Sequence, residues 1–223
     1  MIRFSSLETM EYAGHVRGVI ITGGAAPPAA VVATWLADAA LVVAADSGLH
    51  TAVGYGIRPE LVVGDFDSIV DDALLNGYAD QQIRRFPRAK DHTDTEIALR
   101  VAREEGCDDL VLIGGGGGRA DHFLALVTLF ERPDPPRAWV SDTAVVSAIV
   151  DSTTEYGSIG ERISFAPLGC IPCRMTTRGL RWPLDGLTWG RGDIGISNEF
   201  AEREIHVAMR SGQLLMVRTL EAQ

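Results

Sequence analysis

Apolar and polar positions follow two different patterns along this chain, and the change of pattern divides it. In the first part, short unbroken apolar runs are separated by stretches that read as helices. The runs are residues 18–22 (GVIIT), 41–45 (LVVAA), 61–63 (LVV), 110–113 (LVLI) and 138–141 (AWVS). A strand buried on both faces has this appearance, because neither face must alternate with polar residues. Residues 28–39, 94–105 and 121–131 read as helices between them. Strands spaced by helices imply right-handed crossovers and a doubly wound, mostly parallel α/β sheet. From about residue 143 the pattern shortens. Residues 162–165, 174–177, 204–209 and 214–217 alternate and are bounded by turn residues, which predicts a small antiparallel all-β sandwich or barrel. The expected division is an α/β domain over 14–142 and a β-sandwich domain over 143–221.

Composition adds few constraints. The chain has 223 residues, 46% of them hydrophobic and 22% charged, enough to bury a core without disulfides. No apolar run is long enough to cross a bilayer, and residues 1–10 lack the basic and apolar blocks of a secretory signal. A cytoplasmic protein is expected. Cys107, Cys170 and Cys173 form no disulfide framework. The formal net charge of −10 argues against nucleic acid or an anionic membrane as the main partner. Lys90 is the single lysine among 20 basic residues, and it stands in the most motif-like part of the chain.

The candidate chemistry lies just beyond the strand ends, where open α/β sheets bind ligands. Asp46 follows the second run, and Asp65 and Asp67 follow the third. In extended chain, residues i and i+2 face the same side, so Asp65 and Asp67 converge while Phe66 turns into the core. Any one of these aspartates is equally well explained as a turn or helix cap. Together they suit Mg²⁺, which takes a few carboxylates, waters and phosphate oxygens. Thr93 and Glu96 have capping-box spacing, which places Asp94 in the first turn of a helix. A well-capped surface helix accounts for Thr93, Asp94 and Glu96 but not for Lys90 or Asp91. The functional reading makes Lys90 a phosphate contact, and Asp91 and Asp94 metal or nucleotide ligands. Residues 114–118 are five glycines followed by Arg119, Ala120, Asp121 and His122. Consecutive glycine N–H groups can cradle phosphates at a helix start, beside a guanidinium fork on Arg119. The sequence matches neither a P-loop nor a dinucleotide fingerprint.

These motifs occur in an order that resembles the thiamine pyrophosphokinases. They are Ala45-Asp46-Ser47-Gly48, Gly64-Asp65-Phe66-Asp67-Ser68-Ile69, the segment from Lys90 to Glu96, and Gly117-Gly118-Arg119-Ala120-Asp121-His122. Two later segments also resemble that family: residues 177–184 (TRGLRWPL) and 195–199 (GISNE). The resemblance implies transfer of pyrophosphate from ATP to the hydroxyl of thiamine, with AMP leaving. It implies Mg²⁺ held by Asp46, Asp65, Asp67 and Asp94. It implies ATP contacts from Gly23, Gly24, Asp46, Ser47, Gly48, Lys90, Asp91, Thr93, Gly117, Gly118, Arg119, Asp121 and His122. Thiamine would meet Trp182, Ser197 and Asn198 in a β-domain that also dimerises, so that a homodimer shares its sites between subunits. Asp94 and Asp67 are both open as the proton acceptor. Trp182 is either a stacking surface or a half-buried aromatic. Ser47 departs from a usual second glycine, and Leu126 from a usual asparagine. The Cys170 to Cys173 spacing has no second pair and is read as structural or incidental. Two other readings remain: a pyrophosphokinase acting on another alcohol such as a pterin, or a nucleotide sensor without catalysis.

Overall fold

The computed structural model describes residues 14–67, 72–89 and 91–220, the side chains of residues 72 and 73 excepted. Within these, the chain divides into two compact units. One comprises residues 14–127 and 136–143; the other includes residues 128–135 and continues from 144.

The first unit is the expected α/β layer. Its elements are β1 (Arg17–Thr22), α1 (Ala29–Leu36), β2 (Ala39–Ala45), α2 (Gly48–Gly54), β3 (Leu61–Gly64), β4 (Ile83–Arg85), α3 (Asp94–Glu104), β5 (Asp109–Ile113), α4 (Ala120–Thr128) and β6 (Ala138–Val140). The strands pair in parallel in the order β6-β5-β1-β2-β3-β4. Val19, Ile20, Ile21, Val43, Val62, Val111 and Leu112 are fully buried, as apolar runs require in a sheet covered on both faces. The order reverses at β1, so the loops leaving β1 and β5 lie side by side at a switch point. They are bridged: Ala25 N–H donates to Gly116 O at 2.7 Å, and Gly116 N–H to Ala25 O at 3.0 Å. At the opposite end of the sheet, Arg17 and Arg137 both donate to the buried Asp109 carboxylate, at 2.9 and 3.0 Å. This ion cluster ties the starts of β1 and β5 to the entry of β6.

The expected capping box on α3 forms. Thr93 Oγ1 accepts from Glu96 N at 3.2 Å, and Glu96 Oε2 accepts from Thr93 N at 2.6 Å, a cap contributing about 1 kcal/mol. Two elements were not evident in the pattern. The edge strand β4 has three residues, two of them arginine, and α2 begins at a glycine with no acidic residue in its first turn.

The second unit is all β: β7 (Ala144–Ile149), β8 (Ser152–Tyr156), β9 (Arg162–Leu168), β10 (Cys173–Arg178), β11 (Thr188–Trp189), β12 (Gly195–Glu199), β13 (Glu204–Ser211) and β14 (Gln213–Thr219). Antiparallel pairing gives β12-β9-β14-β7 and β11-β10-β13-β8. Ile163, Phe165, Leu214 and Met216 from the first set share one buried cluster with Cys173, Met175, Ile205 and Val207 from the second. That is a sandwich core. Arg218 is held by Glu155 and Glu161 at 2.9 and 2.6 Å, so its charge is buried only in paired form. No helix among the described residues is long and apolar enough to cross a membrane.

Candidate active site

Asp46 turns the chain from β2 into α2. It adopts a left-handed φ of 46°, uncommon for a residue with a side chain and tolerated best by Asn and Asp. Its N–H donates to Val63 O at 2.8 Å and its C=O accepts from Leu49 N at 3.0 Å. Both backbone bonds fix its carboxylate beside the exit of β3. Two glycines allow the approach. A Cβ on Gly48 would stand 2.0 Å from Ile21 O, and one on Gly64 would stand 3.2 Å from the Asp46 Cβ.

The Asp65-Phe66-Asp67 segment differs from the expected extended chain. Phe66 has φ 63°, and Asp67 N–H donates to Asp65 Oδ1 at 3.2 Å, so the two carboxylates converge through a tight turn. Phe66 still enters the core, packing with Ala44, Leu49, Val62 and Leu75. Its burial supports the left-handed turn. Asp46, Asp65 and Asp67 each present a carboxylate oxygen within 4.8 Å of the others. Asp46 Oδ1 is buried and accepts no hydrogen bond, an arrangement that is costly unless a cation or donor arrives. The all-oxygen donor set and this orphaned atom both fit a hard divalent cation.

Asp94 is the first residue of α3 and is not part of that cluster. Asp91, three residues earlier, is exposed, and Lys90 lies outside the described residues. Gly23 and Ser47 are in tight contact, since a Cβ on Gly23 would meet Ser47 Oγ at 2.1 Å. Gly24 has φ 92° and closes on the Gly116 carbonyl. The glycine run is less open than its composition implies. Gly114 N–H donates to Val140 O, Gly115 N–H to Gly23 O and Gly116 N–H to Ala25 O, at 3.0, 2.8 and 3.0 Å. Three of the five amides are therefore committed to the fold, and Gly117 and Gly118, both exposed, form the part that faces outward. Leu126 has a packing reason for its identity: it lies under Gly115, whose Cβ would meet Leu126 Cδ1 at 2.3 Å.

Arg119 forks onto Asp121, with Nε to Oδ1 at 3.0 Å and a second bond from Nη2 to Oδ2. This pairing, helped by the His122 N–H, holds the Asp121 carboxyl well below the usual carboxylate range. Both side chains are exposed, and so is His122. A charged neighbour was not evident in the motifs: Arg88 Nε lies 3.1 Å from Asp67 Oδ2. The available signal was the run Arg84-Arg85-Phe86-Pro87-Arg88, three arginines ahead of Lys90.

In the β unit, Trp182 and Asn198 meet. Asn198 is buried; its Oδ1 accepts from Trp182 N at 3.2 Å and Glu199 N at 2.8 Å, and its Nδ2 donates to Trp182 O at 2.7 Å. The side chain expected to touch a ligand is thus occupied in holding the Trp182 backbone. The indole is 51% exposed, with the Arg181 guanidinium 5.1 Å from its ring centre. Ser197 is exposed, at φ 59°, in the irregular stretch of the β12 to β9 pairing. Asn198→Ala is expected to lower stability by about 1–3 kcal/mol, because two backbone N–H groups lose their acceptor in a buried place. Denaturant unfolding measures this, and parental stability would show that the carboxamide does not brace the loop.

Residues 32–138 match the family model described as thiamin pyrophosphokinase, catalytic domain, and residues 150–214 match that described as thiamin pyrophosphokinase, vitamin B1 binding domain. The chain is 28% identical to the thiamine pyrophosphokinase of Bacillus subtilis (strain 168) over 196 residues, covering 81% of this chain and 88% of that protein. The crystal structure of thiamine pyrophosphokinase from Bacillus subtilis is similar with a TM-score of 0.78 at 25% identity, over 92% of this chain and 100% of that one. That of the Geobacillus thermodenitrificans thiamin pyrophosphokinase follows with 0.74 at 26% identity, over 93% and 99%. The thiamin pyrophosphokinase from Candida albicans, at 13% identity and a TM-score of 0.72 over 93% of this chain and 90% of that one, shares the fold. With both halves of the chain matching the two halves of one family, in the same order, the chain belongs to the thiamine pyrophosphokinase family.

Proposed function

We propose that this chain transfers the pyrophosphoryl group of ATP to the primary hydroxyl of thiamine, giving thiamine diphosphate and AMP. The observation that carries the reading is the convergence of Asp46, Asp65 and Asp67 within 4.8 Å in a chain whose two parts match the catalytic and vitamin-binding models of one family. In the reaction the thiamine oxygen bonds to the β-phosphorus, the bond from that phosphorus to the AMP oxygen breaks, and the hydroxyl proton is lost. Catalysis of this kind is largely positioning and charge neutralisation.

Residues 14–142 form the nucleotide- and metal-binding domain in this reading, and residues 143–221 the thiamine-binding and dimerisation domain. Asp46, Asp65 and Asp67 hold Mg²⁺, with Asp94 available from the start of α3. When bound, the ion offsets charge on the transferring phosphates. Lys90 and Arg119 contact phosphate oxygens, and Arg119 must exchange Asp121 for them. The outward amides of Gly117 and Gly118 add uncharged donors. Asp91, Thr93, Ser47, Gly48, Gly23, Gly24 and His122 complete the nucleotide surface. Asp94 or Asp67 accepts the hydroxyl proton. In the β domain the Trp182 indole offers a face for the thiazolium cation, Ser197 a hydroxyl, and Asn198 acts through the loop it holds. We place the enzyme in the cytoplasm as a homodimer whose sites combine the nucleotide residues of one subunit with the thiamine residues of the other.

Purified protein incubated with thiamine, ATP and Mg²⁺ is expected to produce thiamine diphosphate and AMP in equal amounts. ADP in place of AMP would overturn the reaction class. The shared site is tested by complementation. An inactive Asp65→Asn protein is mixed with an inactive Trp182→Ala/Ser197→Ala protein, and subunits are allowed to exchange. Mixed dimers place both lesions in one site and leave the other intact, so about half the parental activity per mixed dimer is expected. Exchange verified by mass without recovered activity would refute sharing.

A further inference from the structure

The segment after β4 is aligned with the segment after β3 by strand pairing. Gly64 stands opposite Arg85, and Phe86 N–H donates to Gly64 O at 3.0 Å. The parallel ladder therefore runs one residue past the end of β4, so that residues 85–88 leave the sheet next to the turn that follows Gly64. Pro87 restricts its own φ and keeps Phe86 extended, so the direction in which the chain leaves β4 is constrained. Two guanidinium groups are delivered onto the acidic turn in this way. Arg85 lies 4.8 Å from the ring centre of Phe66, the residue whose burial shapes the turn. Arg88 lies 3.1 Å from Asp67 Oδ2 while 83% of its own side chain is exposed.

Resting on the reading that the three aspartates hold Mg²⁺, we propose that Arg88 is a charge-exchange residue. It neutralises Asp67 when no metal is bound, and it moves to the polyphosphate of ATP when metal takes the carboxylate. An arginine remains charged at any working pH, so a cation approaching Asp67 must compete with a fixed positive charge on one of its oxygens. Once displaced, the exposed guanidinium is at the edge of the carboxylate cluster. Its planar donors match phosphate oxygens two at a time. Metal alone is then bound weakly, and metal with ATP is bound well, because the phosphate supplies Arg88 with a new partner. The device suppresses loading of the site by free cation and favours the metal–nucleotide pair.

The test compares the parent, Arg88→Gln, Arg88→Lys and Asp67→Asn proteins, each titrated with Mn²⁺ in the absence of nucleotide and followed by electron paramagnetic resonance of the free ion. Steady-state kinetics with ATP and Mg²⁺ accompany the titrations. Arg88→Gln is expected to bind Mn²⁺ about two- to fivefold more tightly than the parent, the scale of an exposed ion pair. Arg88→Lys keeps the charge and should stay near the parent. In kinetics Arg88→Gln should raise the KM for ATP about tenfold, the scale of lost hydrogen bonds to a charged group, with kcat changed far less. Mn²⁺ affinity no tighter in Arg88→Gln than in the parent overturns the competition, and an unchanged KM overturns the hand-over. Asp67→Asn separates this failure from failure of the metal site itself. If the parent binds Mn²⁺ and Asp67→Asn does not, the site stands and only the role of Arg88 is at issue. If Asp67→Asn binds as the parent does, the three-aspartate site falls and Arg88 with it.

Discussion

Asp65→Asn and Asp67→Asn are each expected to reduce turnover by on the order of 10²-fold or more while leaving the fold intact. Asparagine keeps the shape and one acceptor oxygen of each side chain, so the bond from Asp67 N–H to position 65 survives in Asp65→Asn. What is lost is one of three charges converging within 4.8 Å. A hard cation held by carboxylates binds less well to an amide, and loss of one well-placed electrostatic contact in an active site commonly costs this much. Stability should respond in the opposite sense when metal is removed. Carboxylates at this separation repel one another by on the order of 1 kcal/mol per pair even at water-like screening. In chelator, Asp65→Asn should therefore melt at the parental temperature or above it, whereas Asp67→Asn also gives up the ion pair with Arg88 and should melt near the parent. On adding Mg²⁺, the parent should gain stability by mass action and the variants should gain less. Near-parental turnover at limiting Mg²⁺, or an equal gain of melting temperature in parent and variants, would remove these two aspartates from the proposed metal site.

Gly48→Ala is expected to lower stability by about 3 kcal/mol, the upper end for overpacking, and to abolish activity in whatever protein remains folded. The added methyl would stand 2.0 Å from Ile21 O, 2.7 Å from Ile21 C and 2.8 Å from Thr22 Cα. All three atoms belong to the backbone of β1, the strand at the centre of its sheet, and cannot rotate away as a side chain could. Relief requires α2 to lift from the sheet. Asp46 and Ser47 precede Gly48 directly, so that movement carries the carboxylate away from Asp65 and Asp67. Gly54→Ala at the other end of α2 is the control. A methyl there meets nothing within 4 Å, and restricting the unfolded chain should stabilise by about 0.4–1 kcal/mol. Thermal melts of the two variants side by side, with turnover of each, measure the difference. A Gly48→Ala protein with parental melting temperature and turnover would show that α2 is not pressed on β1.

The parallel strands were legible because burial on both faces imposes unbroken apolar runs. Residues 18–22 and 110–113 fall within the observed Arg17–Thr22 and Asp109–Ile113. The α3 start was legible because a capping box is a local hydrogen-bond arrangement with fixed spacing. β4 was not, since an edge strand of sequence Ile-Arg-Arg has neither an apolar run nor room for alternation. The convergence of Asp65 and Asp67 was expected from extended geometry, but it arises from the left-handed Phe66, and no propensity favours that conformation in a phenylalanine. Only the burial of its ring against Leu49 and Leu75 explains it, and that contact is tertiary. The same holds for Arg88, which reaches Asp67 through strand pairing between segments 21 residues apart. In the glycine run, composition indicated freedom of φ but not that Gly114 would spend its amide on β6, and Gly115 and Gly116 theirs on the loop that leaves β1. For Asn198, the residue type suggested a ligand contact, whereas burial shows an internal brace.

Among the described residues the chain passes between its two compact units at 127/128, 135/136 and 143/144. A single cut therefore cannot separate them into whole parts. Cleavage after residue 143 would leave residues 128–135 on the N-terminal fragment, although they belong with the β strands that follow. A fragment of residues 144–220 would lack that piece, including Glu131, whose carboxylate accepts from Gly169 N–H. Swapping the all-β unit between relatives would thus need two junction sets, one flanking 128–135 and one near 143. During synthesis, the eight residues from 128 to 135 emerge before any strand of their own unit exists, and they must wait for β9 while the α/β sheet is completed around β6.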